Sequence, residues 1–529
     1  LNQALDPRAG ATRHQSELAL QKLLSTIGET LTLEQSNKTL ANISLANLFY
    51  HADSEEDVGV YAREAIRRLL NPIPYENIAT TEYKTYLVQG LSHFSPDVRK
   101  LSLQQVEKCL ANEQASSLMA KSDIFVMVLT TLSFQSPEVA EKASDILYKV
   151  RSHNLMVALT KDGLGEFFSQ QSIAILKAIA TINETIKFRV YELIIKVAGS
   201  SEKGFELAEN DMLLDDVIEE VKSDDILIKI NAIEMLMEMA ASPPGYQFMK
   251  KANLLSYLVT LMKNETGSES SVTVCAAVKF FGRLVSVKGV DVSEIEADLG
   301  IVEIWKHILQ NGSDDTLVVT IATIGLVGSS TNALILFHEK GILEEVCGNF
   351  RLSAGHIKVG YLQSISQLLA VHDSSEKSVQ VEKITEDIFH NMGGNVFSPA
   401  DWYSIKASHS NASSYLGSAG PIELLISLSQ QPLEEMRVSA FAVLESTATH
   451  EWGQRDLTRS KKFLDYILNR TTETTHAGKT WKFSIVRALT VTTNAAANIE
   501  PMALRRLTEY VKQGPFYIHR EAAVAMESG

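Results

Sequence analysis

The sequence predicts an all-α chain made of one helical unit repeated end to end, and three observations carry that prediction. An apolar residue recurs every 39–47 residues, at Val58, Val98, Val139, Ile186, Ile228, Val272, Val318 and Ile357, then at Met436 and Trp481. Eight residues past each stands a second one: Ile66, Val106, Leu147, Ile194, Leu236, Phe280, Leu326, Ile365, Leu444 and Leu489. Midway between them the side chain is usually small, as at Ala62, Ser102, Ala143, Ala232, Ala276, Ala322 and Ala440, with Val190, Tyr361 and Ile485 as exceptions. Positions zero, four and eight share one stripe of a helix, and a small centre lets a neighbouring helix come close. A period of about 40 residues, with an apolar face that only the next unit can cover, reads as a right-handed α-α superhelix of armadillo/HEAT type.

Taken in order, residues 1–44 read as an N-terminal helical cap whose start, with Pro7 and Gly10, is expected to be flexible. Residues 45–390 carry the repeats. Ser95, Ser136, Asn183, Asp225 and Asp315 stand three residues before the zero position, where an N-cap side chain accepts from a free backbone N–H. Pro96 and Pro137 follow at the first helical position, where a missing N–H costs nothing. A basic residue often comes next after zero: Arg99, Lys187, Lys229, Lys358 and Arg437. Outer or connecting helices are expected at Leu118–Ser133, Asp211–Lys222, Leu254–Lys263 and Ile301–Gln310. A smaller gap falls at Gly267–Ser271. The ladder then skips a rung between Ile357 and Met436, and residues 391–420, rich in Gly, Ser and Asn, read as an insertion or degenerate repeat. Repeats resume over 421–513, and 514–529 is expected to be an extended tail opening with Gly514-Pro515-Phe516-Tyr517.

Composition narrows the partners. With 45% hydrophobic residues, 21% charged and 12 prolines in 529, the chain has the make-up of a folded protein. A formal charge of −15 disfavours nucleic acid and anionic membranes, whose phosphates need Lys and Arg, and leaves a basic protein surface open as a partner. Cys109, Cys275 and Cys347 are odd in number, far apart and without metal-ligand spacing, which predicts buried thiols in a reducing compartment. No apolar run approaches the roughly 20 residues a membrane span needs, and no secretory leader is recognisable. The expected location is therefore cytoplasmic, with the nucleus as a second site.

Motifs for chemistry are missing. Gly478-Lys479-Thr480 lacks the glycine a phosphate-binding loop needs five residues earlier, where Glu473 stands, and its flanks are helical. No histidine pair has zinc-ligand spacing with an acidic partner, and no nucleophile elbow or dinucleotide-binding glycine pattern occurs. The expectation is no enzyme, no cofactor and no metal. The candidate site is instead the inner face of the middle units, at plus two, plus six and plus nine. There Asp145, Phe188, Glu192, Ile195, Ile230, Glu234, Met237 and Phe281 place carboxylates among apolar rims, suited to a partner bringing apolar bulk and a basic side chain. The competing reading is that stacking buries plus two and plus nine.

The runs Phe188-Arg189-Val190-Tyr191-Glu192-Leu193-Ile194-Ile195, Ile233-Glu234-Met235, Val278-Lys279-Phe280-Phe281-Gly282 and Gly514-Pro515-Phe516-Tyr517 resemble the family of the 26S proteasome non-ATPase regulatory subunit five. The likeness extends in order and spacing from Leu45 to Tyr517. It implies an assembly chaperone of the regulatory-particle base, armadillo/HEAT-like and without cofactors. Such a protein binds the C-terminal domain of a proteasomal AAA ATPase subunit, associates with its neighbouring ATPase and the large non-ATPase scaffold subunit, and leaves before the mature particle forms. A monomer is expected when free. The alternative is a generic solenoid adaptor in transport or trafficking, with the same fold and another partner; a helical-repeat enzyme has no motif to support it.

Overall fold

The computed structural model describes residues 2–80, 83–152, 162–199, 201–263, 271–287, 290–393, 420–491 and 494–517. Among these every regular element is a helix, and no strand occurs. The chain is an α solenoid. Its contacts gather into two compact units, Leu1–Phe248 and Met249–Gly529, a division that falls within the stretch expected to hold one run of repeats.

The first unit opens on a short helical turn packed against the next helix. Asn2–Leu5 is helical, Leu5 is fully buried, and the Ser16 hydroxyl donates to the Ala4 carbonyl at 2.8 Å. Beyond it the repeat has three helices where the sequence suggested an inner helix and one outer one. Tyr75–Thr80, Tyr83–Leu91 and Pro96–Glu107 form one repeat; Glu113–Ala120, Asp123–Thr131 and Pro137–Ser152 form the next. The single helix expected over Leu118–Ser133 is broken at Lys121-Ser122, because the Ser122 hydroxyl turns back to the Met119 carbonyl at 2.8 Å and closes the first segment. A short, a middle and a long helix per repeat is the armadillo arrangement.

The long third helices carry the ladder. Asp57–Leu70, Pro96–Glu107, Pro137–Ser152, Glu184–Ala198 and Ile226–Ala240 pack each on the next in the first unit. Their stripe residues Val58, Ala62, Ile66, Val98, Val106, Val139, Ala143, Ile194, Ala232 and Leu236 are all buried. Caps form as expected at two of the five sites: Asn183 Oδ1 accepts from the Ile186 N–H at 2.9 Å, and Asp225 Oδ1 from the Leu227 N–H at 2.9 Å. Ser95 stands at an N-cap without a side-chain bond of its own. Arginines secure the turns between helices. The Arg63 guanidinium donates to the carbonyl of Ala52 at 2.7 Å, and that of Arg189 to the carbonyls of Leu132 at 2.7 Å and Phe134 at 3.0 Å. Carbonyls at a helix C-terminus lack partners within the helix, so a cation there supplies both a bond and a favourable charge.

In the second unit Ser271–Leu284, Asp314–Gly328, Gly355–Leu369, Glu434–Ala448 and His476–Val491 stack likewise. Here the ladder is out of register in two helices. Val272 and Leu326 are exposed at 54% and 49%, whereas Thr273, Ala277, Phe281 and Thr316, Thr320, Ile324 are buried. The expected cap Asp315 lies in the first turn, and Ser313 is the cap, accepting from the Thr316 N–H. An apolar residue was demanded at zero, but the stripe here begins on threonine. The Thr316 hydroxyl bonds to the Ser313 carbonyl at 3.0 Å, which lets it be buried without an orphaned donor. Glycine does the close packing: a Cβ on Gly282 would lie 2.6 Å from Thr323 Cγ2, and one on Gly328 would collide with Leu368.

The long gap in the ladder has a simple geometry. Ser378–Met392, Pro421–Leu428 and Glu434–Ala448 serve as the three helices of one repeat, so the extra residues enter between its first and second helices. Gly393 lies against Pro421, where a Cβ would come 2.7 Å from the proline ring. Of the expected insertion 391–420, residues 394–419 lie outside the described residues, as do most of Gly267–Ser271 and the tail after Tyr517. Gly514–Tyr517 is non-helical, and Arg470 holds it by donating to the Gly514 carbonyl at 2.7 Å while His476 stacks on Phe516 at 4.5 Å.

Candidate partner-binding face

Three successive third helices of the first unit, Pro137–Ser152, Glu184–Ala198 and Ile226–Ala240, present the face that the sequence singled out. The central helix, Glu184–Ala198, touches both of the others, so its buried arc is wider than a single stripe. That decides which of the expected residues are free. Ile195 is 1% exposed, and Phe188 is 9% exposed with its ring edge-on to Tyr191 at 6.1 Å. Both are core, not contact surface. Phe281 is fully buried and belongs to the second unit, where the one-residue register slip puts it on the stacking stripe, edge-on to Phe280 at 5.3 Å. Ile230 and Met237 are half-buried, and Asp145 and Glu234 are exposed.

The carboxylates divide into paired and unpaired. Asp145 accepts from Lys149 at 3.1 Å, and Glu192 is ion-paired with Lys196, each cation lying one helical turn beyond its acid. Burial works against the Lys196 ammonium, but the bonded Glu192 carboxylate raises it, with Glu238 and Asp145 adding to the effect. Carboxylates on three neighbouring helices therefore act electrostatically on one lysine. Glu234 and Glu238 have no ion pair among the described residues. The face thus carries two more carboxylates than ammonium groups, beside the half-buried Ile230 and Met237. Lys149, Lys196 and Glu238 escaped the sequence reading. The two lysines were signalled by their i+4 spacing from Asp145 and Glu192, whereas Glu238 lies one turn past the plus-six position and nothing in the spacing singles it out.

A groove of about 410 Å³ opens on another side of the same unit, between Gln170–Ala180 and Glu184–Ala198. Of its two lysines, Lys177 and Lys187, the second is held by Glu184 at 3.0 Å and Glu220 at 2.9 Å, and burial, with Asp216 and Glu220 behind it, pushes the Tyr191 phenol up to about 12. That arrangement is an ion-pair network centred on Lys187. The three cysteines are buried, and burial drives the thiols of Cys109 and Cys347 up to about 12, far from reactive thiolates. No helix among the described residues is long and apolar enough to cross a membrane.

Repeated three-helix units whose exposed carboxylates and apolar side chains form a surface define an α-solenoid of the protein-binding class. Yeast importin-β shares the fold, at a TM-score of 0.56 and 10% identity over 97% of this chain and 65% of that one. The chain belongs to the family described as Proteasome non-ATPase 26S subunit, whose sequence model matches residues 3–400 and 412–529. Among its relatives are the proteins named 26S proteasome non-ATPase regulatory subunit 5 of Bos taurus, 21% identical, and of Homo sapiens, 22% identical, each over 99% of both chains. The Drosophila melanogaster protein of the same name is 22% identical over 85% of this chain and 82% of its own.

Proposed function

We propose that this chain is a non-catalytic assembly chaperone of the proteasome regulatory-particle base. In this reading it holds the C-terminal domain of an AAA ATPase subunit, reaches that subunit's ATPase neighbour and the large non-ATPase scaffold subunit, and is released before the mature particle forms. The observation that carries the reading is the family match along almost the whole chain, which makes a proteasomal partner the first to test. The solenoid fold supports it, because a stack of repeats builds a long surface from a small motif. The proposed grip is the face around Glu234 and Glu238, with Ile230 and Met237 giving apolar contact and the two unpaired carboxylates receiving basic side chains. Exposed acids of this kind steer association and set specificity, so binding should weaken as salt rises. The working compartment is taken as the cytoplasm, with the nucleus as a second location, and the free chaperone as a monomer.

Affinity capture of the tagged chain from cytosol tests the reading. Recovery of proteasomal ATPases without the 20S core supports a chaperone of the base; recovery of cargo or trafficking factors alone replaces it with the adaptor reading.

A further inference from the structure

In the second unit three side chains of metal-ligand type converge. His372 follows the helix Gly355–Leu369, Glu382 lies in Ser378–Met392, and His450 caps Glu451–Arg459. One candidate ligand atom from each lies within 4.8 Å of the other two.

Hydrogen-bond partners fix where the imidazole protons sit. His450 Nε2 faces the Leu369 carbonyl at 2.6 Å, which can only accept, so Nε2 carries the proton. The Thr449 hydroxyl gives its own proton to the Ser446 carbonyl at 2.6 Å and therefore accepts from His372 Nε2 at 2.8 Å. In its neutral form each ring then keeps its lone pair on Nδ1. His450 Nδ1 stands 2.9 Å from Glu382 Oε1, so a lone pair faces a carboxylate oxygen across a hydrogen-bond distance. Two acceptors that close repel unless a cation, a proton or a metal ion, lies between them.

We propose that this cation is a divalent transition metal of the zinc class, bound by His450 Nδ1, Glu382 and His372 Nδ1. Imidazole and carboxylate suit zinc, and three protein ligands leave a fourth position for water. A metal-bound histidine commonly donates its other N–H to a carbonyl, the role the Leu369 carbonyl takes here. His450 is fully buried and is the fixed member, while Glu382 is 36% exposed and His372 exposed, which opens a path for the ion. The two imidazoles stack at 4.3 Å with planes 29° apart, so coordination requires His372 to turn out of the stack and bring its lone pair into line. The bound ion would tie the turn after Leu369 to the first helix of the following repeat, Ser378–Met392, and to the start of Glu451–Arg459 in the repeat after it.

The test uses the full chain stripped of metal and titrated with Co²⁺, then Zn²⁺. One equivalent of Co²⁺ should develop the visible absorption of a tetrahedral site, Zn²⁺ should displace it, and Zn²⁺ should raise Tm. His450→Ala removes a buried residue and can unfold the repeat, so the deciding variants are His372→Ala and Glu382→Gln. Each should keep its circular dichroism and lose at least about tenfold in Co²⁺ affinity. A folded wild type that gives no cobalt spectrum overturns the proposal and leaves a proton between His450 and Glu382. Unchanged affinity in both variants overturns it as well.

Discussion

Gly325 and Ser364 lie so close that a Cβ added to the glycine would stand 2.7 Å from the serine Cα. The helices Asp314–Gly328 and Gly355–Leu369 therefore meet nearly backbone to backbone. Gly325→Ala gains roughly 1 kcal/mol of helix propensity but forces two stacked repeats apart, which costs about 1–3 kcal/mol. The steric term wins. Gly325→Val should be worse than Gly325→Ala, and the damage should start in the adjoining repeats. Gly348, in Ile342–Leu352, has open space where a Cβ would be, so Gly348→Ala should stabilise by about 1 kcal/mol. Thermal unfolding of the three variants tests the pair of signs.

Arg189 should prove structural although it sits in the run that carries the family resemblance. Its two bonds to the Leu132 and Phe134 carbonyls close the end of Asp123–Thr131. Arg189→Met should cost about 1–3 kcal/mol by leaving both carbonyls without a donor. Arg189→Lys should recover only part, since an ammonium cannot reproduce the fork of a guanidinium. Hydrogen exchange should speed first in the last turn of Asp123–Thr131.

Acid should weaken the first unit through Glu64. Arg67 binds both its oxygens, at 2.6 and 2.7 Å, and Arg68 one at 2.6 Å. The Arg67 bond, opposed by burial and aided by Arg68, takes its carboxyl from 4.5 to about 2. A depressed acid contributes stability that is complete above about pH 4.5 and is lost as pH falls through about 2. The side chain is 29% exposed, so solvent screening reduces the contribution to about 1 kcal/mol. Glu64→Gln should lose that much at pH 7, and the difference from wild type should shrink as pH falls below 4.5 and vanish only below about pH 2 in a denaturant series.

The periodicity held the fold, because apolar side chains at zero, four and eight must be covered by a neighbour. Ala62, Ala143 and Ala232 are fully buried as the ladder requires. The register failed at Val272 and Val318, where the stripe begins on Thr273 and Thr316; a buried threonine bonded to its own helix looks polar in sequence. The candidate face was legible in its charges and not in its apolar rim. Glu234 and Asp145 are exposed, but Phe188 and Ile195 are covered by stacking, which depends on contacts made by helices more than 40 residues apart. The triad of His372, Glu382 and His450 was invisible for the same reason: its members are separated by 68 residues at the closest approach between ring and carboxylate.

The central claim is that the face around Glu234 and Glu238 grips a proteasomal ATPase. The measurement is the affinity of Glu234→Lys/Glu238→Lys for the isolated C-terminal domain of each proteasomal ATPase, across a salt series. Both acids lack an ion pair among the described residues, and new lysines one turn apart cost the helix only about 0.2–0.5 kcal/mol, so Tm should hardly move. With the variant folded as wild type, the predicted result is at least about tenfold weaker binding to the preferred domain, with a wild-type affinity that falls as salt rises. Capture of that domain at wild-type strength and with wild-type salt dependence would contradict the claim.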